Sequence, residues 1–178
     1  MSVRSSSVGW VPTAVGIALW VDPVLHANES RRFDSFVVRG HYERDCDFFT
    51  GAIGTDGYGR FYISRGKELC VRPHRYALAR SRGALRSHEL ALHECDKPLC
   101  VKISDASASS QHVVVGTQAD NMRRMARMRR GGGRKPIAGD GLRVRRERSV
   151  ALRAVLRERG WDRDAVEAAL LGDMPTLW

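Results

Sequence analysis

"ALHECDKPLC", residues 91–100, is the stretch of the chain whose chemistry decides the fold. A histidine lies two residues before a cysteine there, and four residues separate that cysteine from the next. Zinc prefers thiolate and imidazole ligands, and a structural zinc ion takes four in a tetrahedron. The chain has four cysteines in 178 residues, too few for a secreted disulfide scaffold, so a metal explains the pair better than a disulfide. A turn that merely holds two buried thiols is the alternative.

Cys95 and Cys100 supply two of the four ligands that such a site needs. His112, at the start of the next apolar segment, is a candidate third ligand, and Cys46 is a candidate fourth. The turn has few apolar residues to hold it, and a closed zinc site would contribute folding free energy directly. The residues that compete for the fourth place are Cys70 and His74.

His93 shares one face of a short strand with Cys95, because alternate residues of a strand point the same way. Its ring is either a zinc ligand, a core histidine with a satisfied hydrogen bond, or a base that takes a proton from water. Asn121 falls on the first turn of a helix that begins near Thr117, and its side-chain oxygen is a hard ligand suited to Mg²⁺. A histidine base and one Mg²⁺ can together hydrolyse a phosphodiester.

Short strands and helices alternate along the rest of the chain, which indicates an α+β fold. A hairpin is the clearest pattern, because aromatic and branched residues flank a turn rich in Gly and Asp. The C-terminal part predicts two helices that pair as a helical hairpin. The predicted strands lie at 33–39, in the hairpin 47–63, at the start of 69–83, in 88–96 and in 111–117. The predicted helices follow Pro73 and end at Gly83, follow Thr117 over 118–130, span 144–160, and begin after the cap Asp162.

The net charge of +10 belongs to one segment. Residues 118–159 hold fourteen Arg and Lys against four Asp and Glu, whereas the other residues hold sixteen of each sign. Arginine binds phosphate oxygens with two parallel hydrogen bonds, and a solvated surface usually mixes both signs. The segment therefore predicts contact with nucleic acid. No apolar run reaches the length that spans a membrane, so we expect a cytoplasmic protein of a bacterial or phage-infected cell.

Four motifs in order resemble a known family. "TGAIGTDGYGRF", "HRYALA", "LHECDKPLCV" and "HVVVGTQADNMRRM" are similar to HNH endonucleases of the ββα-metal (His-Me finger) superfamily. The similarity is greatest to the phage and bacterial HNH group related to His-Cys box homing endonucleases, and it covers roughly residues 44–130. It implies a ββα-metal core with an antiparallel hairpin, a structural zinc ion and a C-terminal helical extension.

The resemblance also implies roles for single residues. His93 would be the general base, Asn121 would bind the catalytic Mg²⁺, and Arg60 would contact the scissile phosphate. His74 and Arg75 would form a support element near the active site. Eleven residues lie between Cys100 and His112, where the family usually keeps about four, so the extra residues predict a loop. The implied zinc ligands are Cys46, Cys95, Cys100 and His112.

This interpretation divides the chain into four parts and predicts double-stranded DNA as its partner. We expect a homodimer, because one such active site cuts one strand, and Trp161 and Trp178 would lie at the interface. The alternatives are a zinc-stabilised DNA-binding protein without activity and an RNA-binding zinc module. The parts are an N-terminal extension (1–40), a nuclease domain (41–130), a Gly-rich basic linker (131–141) and a helical extension (142–178). The predicted DNA contacts are Arg65, Lys67, Arg75, Arg123, Arg124, Arg127, Arg134 and Lys135.

Overall fold

The computed structural model describes residues 16–105, 107–127 and 138–172. Arg134, Lys135 and Trp178 lie outside these ranges. Within the described ranges, no helix is long and apolar enough to cross a membrane. The strands are β1 Ile17–Trp20, β2 Val37–Val38, β3 Phe48–Phe49, β4 Ala52–Ile53, β5 Gly59–Ser64, β6 Glu68–Val71, β7 Ala84–Arg86, β8 Leu90–His93 and β9 Val113–Gly116. The helices are α1 Ala27–Asp34, α2 Pro73–Arg82, α3 Gln118–Arg127, α4 Ala138–Arg159 and α5 Arg163–Leu171.

These elements confirm the predicted α+β class, and the sheets are small and antiparallel. β4, β5 and β6 form one sheet, and β1 pairs with β7, β2 with β3, and β8 with β9. The predicted hairpin is present as β4 and β5, which pair Ala52 with Arg60 and Ile53 with Gly59. Gly57 in its turn has φ +80°, a conformation in which side chains other than glycine's are strained.

Helix α2 lies at the centre of the larger core. Pro73 occupies its first turn, where a missing N–H costs nothing, and Gly83 with φ 79° ends it, as the sequence predicts. One side of α2 packs Tyr76 against Phe33 and Phe61, with ring centroids 4.8 Å apart in both pairs. The first residues of α2 thereby hold a fixed position beside β8.

The prediction of a strand over 33–39 is wrong for its first part. Residues 27–34 form helix α1, and only Val37–Val38 are extended. Phe33 is 1% exposed and packs in the aromatic core, so burial of this ring fixes the helix end there. A pattern of apolar residues over seven positions is too short to distinguish the helical repeat of 3.6 residues from the strand repeat of two.

The strand pair β8–β9 and the helix α3 form the unit that carries the cysteine turn. Leu90 to His93 pair in register with Gly116 to Val113. Thr117 then caps α3 as predicted: its hydroxyl accepts from Asp120 N at 3.3 Å, and Asp120 Oδ2 accepts from Thr117 N at 2.8 Å.

Helices α4 and α5 form the predicted hairpin and cover a second core. Gly160 ends α4, and Asp162 caps α5 by accepting a hydrogen bond from Ala165 N at 2.9 Å. Helix α4 begins at Ala138, inside the segment interpreted as a linker. The indole of Trp161 stacks on Phe48 at 5.3 Å between ring centroids. Trp161 is half-buried and packs in part against its own chain, and its assignment to a dimer interface stays a prediction.

Candidate metal centre and adjacent histidine pair

Four side chains from three separate segments converge beside β8 and β9. The ligand atoms of Cys46, Cys95, Cys100 and His112 all lie within 4.8 Å of one another. Cys46 Sγ lies 3.2 Å from His112 Nδ1, and Cys100 Sγ lies 3.9 Å from the same atom. Cys46, Cys100 and His112 are each at most 2% exposed. This is the ligand set that the sequence predicts, and Cys70, which is exposed on β6, is not part of it.

Backbone hydrogen bonds hold the ligand-bearing segments together. Glu94 N donates to His112 O at 2.7 Å, which extends the β8–β9 ladder by one residue and brings the cysteine turn beside His112. Phe48, two residues after Cys46, forms a bridge with Cys100. Asp96 has φ 60°, which turns the chain sharply after Cys95. The cluster is therefore assembled by backbone pairing across 66 residues of sequence.

His112 presents the correct nitrogen to the cluster. Its Nε2 lies 3.1 Å from Glu43 O, and a carbonyl can only accept, so Nε2 carries the hydrogen. The lone pair is then on Nδ1, the atom that faces the thiols. A backbone partner that fixes the tautomer in this way is typical of metal-bound histidines.

Hydrogen bonds and burial shift the pKa values of the cluster thiols in opposite directions. Hydrogen bonds from Cys100 and Cys46 lower the pKa of Cys95, whereas burial raises the pKa of Cys100. Three sulfur ligands and one imidazole nitrogen are a donor set that suits tetrahedral zinc, and metal binding would displace the thiol protons. The residues present fit zinc.

His93 lies beside the cluster but does not belong to it. Its Nε2 donates to Cys100 O at 2.9 Å, which leaves the lone pair on Nδ1. The residue is 8% exposed, and burial lowers its pKa, although the bond to Cys100 raises it in part. The imidazole is therefore held neutral, in one tautomer, by the backbone of a candidate metal ligand.

His74 is the immediate neighbour of His93. Their ring centroids are 4.3 Å apart, and Tyr58 lies 5.8 Å from His74 and 6.0 Å from His93. Burial, followed by the charge of His93, lowers the pKa of His74 well below 6.5. His74 Nδ1 is buried without a hydrogen-bond partner in the structure. His74 is thus placed with His93 rather than with the thiols, against its candidacy as a zinc ligand.

Helix α3 brings Asn121 towards this region through a neighbour on the same helical face. Residues three apart lie side by side on a helix, so Asn121 and Arg124 share a face. Arg124 Nη2 lies 3.1 Å from Asp96 Oδ1 and donates to Glu94 O at 3.4 Å. The guanidinium therefore ties α3 to the turn that follows His93. These bonds give Arg124 a structural role, and its assignment as a DNA contact stays a prediction.

The other residues predicted to contact DNA differ in their ion pairs and in their exposure. Arg65 forms an ion pair with Glu29, 2.6 Å apart, and donates to Trp20 O, so it holds α1 to the sheet. Arg60 pairs with Asp56 at 2.9 Å. Arg75 has a half-buried side chain with no ion-pair partner among residues 16–105, 107–127 and 138–172, and burial lowers its pKa. The predicted contacts that are exposed are Lys67, Arg123 and Arg127.

Tyr58 is the residue of this region that sequence reasoning missed. It lies in the "GYGR" motif of the hairpin turn, and the guanidinium carbon of Arg72 is 4.3 Å from its ring centroid. The signal in the sequence was a tyrosine between two glycines, because glycines have no side chains that could cover the tyrosine ring.

Comparison with known proteins finds a relative in a phage. Over 77 residues the chain is 34% identical to Protein 7.7 of Escherichia phage T7. The matched part is 43% of this chain, and it spans about half (52%) of the length of that relative. No protein-family model matches the chain, and no solved structure matches it. The name of the relative states no activity, so the resemblance to HNH endonucleases remains a prediction.

Proposed function

We propose that the chain is a Mg²⁺-dependent DNA endonuclease with a ββα-metal core formed by β8, β9 and α3. The observation that carries the proposal is the double use of Cys100. Its Sγ belongs to the candidate metal cluster, and its carbonyl accepts the hydrogen bond from Nε2 of His93 that leaves the lone pair on Nδ1. A protein that only binds DNA has no need of a neutral, oriented imidazole beside its zinc site.

His93 would act as the general base. Its Nδ1 takes a proton from a water molecule, the water oxygen attacks the phosphorus, and the bond from phosphorus to O3′ breaks. The leaving O3′ then takes a proton from solvent. Mg²⁺ bound through the side-chain oxygen of Asn121 would supply positive charge for the phosphoryl oxygens and the leaving O3′. His74 lies beside His93, with ring centroids 4.3 Å apart, and burial lowers the pKa of His93.

The distribution of cations supports DNA as the substrate. Arg75 adjoins His74 in the sequence and has no acidic partner in the described ranges, so its charge is available for a phosphate oxygen. Arg60 keeps its proposed role of contacting the scissile phosphate, since its pairing with Asp56 holds the guanidinium at the hairpin. The positive segment 118–159 would add contacts to neighbouring phosphates.

Plasmid nicking tests the proposal. Supercoiled DNA is incubated with zinc-loaded protein and Mg²⁺, beside His93→Ala, Asn121→Ala and the matched exposed variant His88→Ala. We expect nicking by the parent and by His88→Ala, and a loss of at least 100-fold in rate for His93→Ala and Asn121→Ala. Plasmid binding without nicking by the parent, on DNA of varied sequence, would replace this proposal with the inactive DNA-binding protein. Preference for structured RNA would replace it with the RNA-binding module.

A further inference from the structure

A cleft of about 570 Å³ lies between the cysteine turn and the first half of α4. Its floor is apolar, and Leu99 and Leu152 form its deepest part, at 1% and 2% exposure. Its rim carries Lys97, Arg145 and Arg148. Asp96 also lines the cleft, and Arg124 already pairs with it at 3.1 Å. The cleft therefore joins an apolar floor to an excess of positive charge.

The rim arginines lack the acidic partners that would explain their burial. Arg145 and Arg148 are both half-buried, and neither forms an ion pair with a residue in the described ranges. Withdrawing a guanidinium from water costs free energy unless an anion compensates it. On the same helix, the exposed Arg143 does pair with Glu147, at 2.9 Å. Within the described residues, Arg145 and Arg148 therefore line the cleft without an acidic partner, as the half-buried Arg75 does elsewhere.

Tyr58 connects the cleft to the histidine pair. It lines the cleft, the guanidinium carbon of Arg145 lies 5.7 Å from its ring centroid, and its ring centroid is 6.0 Å from that of His93. Gly57, the preceding residue, has no space for a side chain, because a Cβ there would lie 2.9–3.0 Å from atoms of Arg145 and Arg146. Helix α4 is therefore seated directly against the hairpin turn that carries Tyr58.

We propose that this cleft binds one unpaired nucleotide of the DNA strand next to the reacting phosphodiester. Its phosphate would lie on Arg145, Arg148 and Lys97, and its base would lie on the apolar floor. A basic rim beside an apolar platform is the combination by which proteins bind single strands. The inference rests on the proposed function in taking DNA as the substrate, and it assigns α4 a part of the binding site rather than a general surface charge.

Binding of a fluorescein-labelled dT8 oligonucleotide, measured by anisotropy without Mg²⁺, tests the cleft apart from cleavage. The test protein is Arg145→Ala/Arg148→Ala. The matched control is Arg31→Ala/Arg86→Ala, which removes the same charge from exposed positions outside segment 118–159. We expect a loss of affinity of at least 10-fold for the cleft protein and less than 3-fold for the control. The slope of log affinity against log salt should fall by about 1.4 in the cleft protein, roughly 0.7 for each lost phosphate contact.

Melting temperature and zinc content establish that both double variants are folded, and Arg148→Ala alone serves if the cleft protein does not fold. Equal losses in the cleft and control proteins, or unchanged affinity in the cleft protein, would overturn the inference. These results are distinct from a failure of the proposed function. Nicking by a parent whose cleft variant binds normally would remove only the cleft. Cleft-dependent binding without nicking would remove only the nuclease.

Discussion

At the scale of single residues, two histidines are fixed in the same way for different purposes. His112 and His93 each donate from Nε2 to a backbone carbonyl, that of Glu43 and that of Cys100. Each therefore has its lone pair on Nδ1, one facing the thiols and the other outside the cluster. The order of the residues in the sequence predicts which histidine is the ligand, but not the carbonyls, which lie 69 and seven residues away.

Arg65 shows why local sequence cannot predict the ion pairs that a cation forms in the fold. Its partner Glu29 lies 36 residues earlier, on a helix that the apolar pattern did not predict. The side chains are 20% and 11% exposed, so the pair is structural. Arg124 is a similar case, with partners 28 and 30 residues earlier. Predicting such pairs requires the tertiary contacts themselves.

The first prediction concerns the pH dependence of stability through Glu29. Burial raises the pKa of this carboxyl, but hydrogen bonds from Arg65 and Tyr76 outweigh burial, so its pKa in the fold lies below 4.5. Its contribution is present above pH 4.5 and is lost as the pH falls through the lower, folded value. We expect Glu29→Gln to lower the free energy of unfolding at pH 7 by about 1–3 kcal/mol.

Urea unfolding at pH 7 and at pH 3 measures this effect. The difference between parent and Glu29→Gln should shrink at the lower pH, because the parent carboxyl is then partly protonated. Glu68→Gln, at an exposed position of β6, is the control and should leave stability within about 0.5 kcal/mol. An equal difference between parent and Glu29→Gln at both pH values would contradict the assignment.

At the scale of elements, helix α3 is attached to the rest of the fold at its start and at its middle. Thr117 and Asp120 cap its start, and Arg124 ties its middle to the turn of Glu94 and Asp96. The cap is a local pattern and was predicted from the sequence, whereas the attachment to the turn was not. Local signals of this kind fix where an element begins, and distant partners fix where it lies.

The second prediction separates this attachment from surface charge. Arg124 is 13% exposed, and its removal leaves Glu94 and Asp96 without their shared partner. We expect Arg124→Ala to lower the free energy of unfolding by about 1–3 kcal/mol and to speed hydrogen exchange in α3. Arg123→Ala should change it by less than about 0.5 kcal/mol, because that side chain is 75% exposed in its pair with Asp120. Similar effects of the two substitutions would show that α3 is not held by Arg124.

The boundaries of α1 and α4 show which element signals mislead. Gly139 and Gly141 favoured a linker, yet α4 begins at Ala138. Each glycine costs a helix about 1 kcal/mol, an amount that packing of Leu152 and Leu156 in the second core can offset. Elements with strong end signals, such as α2 and α5, were predicted closely.

At the scale of the whole molecule, the candidate metal cluster draws its residues from three segments that are far apart in the sequence. Cys46 precedes β3, Cys95 and Cys100 flank the turn after β8, and His112 precedes β9. The spacing of thiols and imidazoles therefore predicted a long-range contact that apolar patterns could not. The pairing of β1 with β7 and of β2 with β3, by contrast, has no sequence signal, because it depends on the packing of both cores.

The third prediction concerns metal content and thermal stability. We expect the parent and Cys70→Ser to contain one zinc ion per chain and Cys46→Ser to contain much less. A ligand at 100 times its Kd adds about 2.7 kcal/mol, which for a chain of this size raises Tm by roughly 5–11 °C. A chelator should therefore lower the Tm of the parent and of Cys70→Ser, and leave that of Cys46→Ser unchanged. Metal analysis after gel filtration and melting curves decide the matter; a full zinc equivalent in Cys46→Ser would refute the ligand set.

The distance in sequence between Cys46 and His112 also has a consequence for biosynthesis. Chains emerge from the ribosome N-terminus first, so the thiol at position 46 is exposed to the cell while the next 66 residues are still being translated. Until His112 emerges, β9 cannot form and the cysteine turn has no strand to pair with. The middle third of the chain thus completes the cluster that the first third begins, and a ribosome that stalls between Cys46 and His112 would release a thiol-rich intermediate open to oxidation.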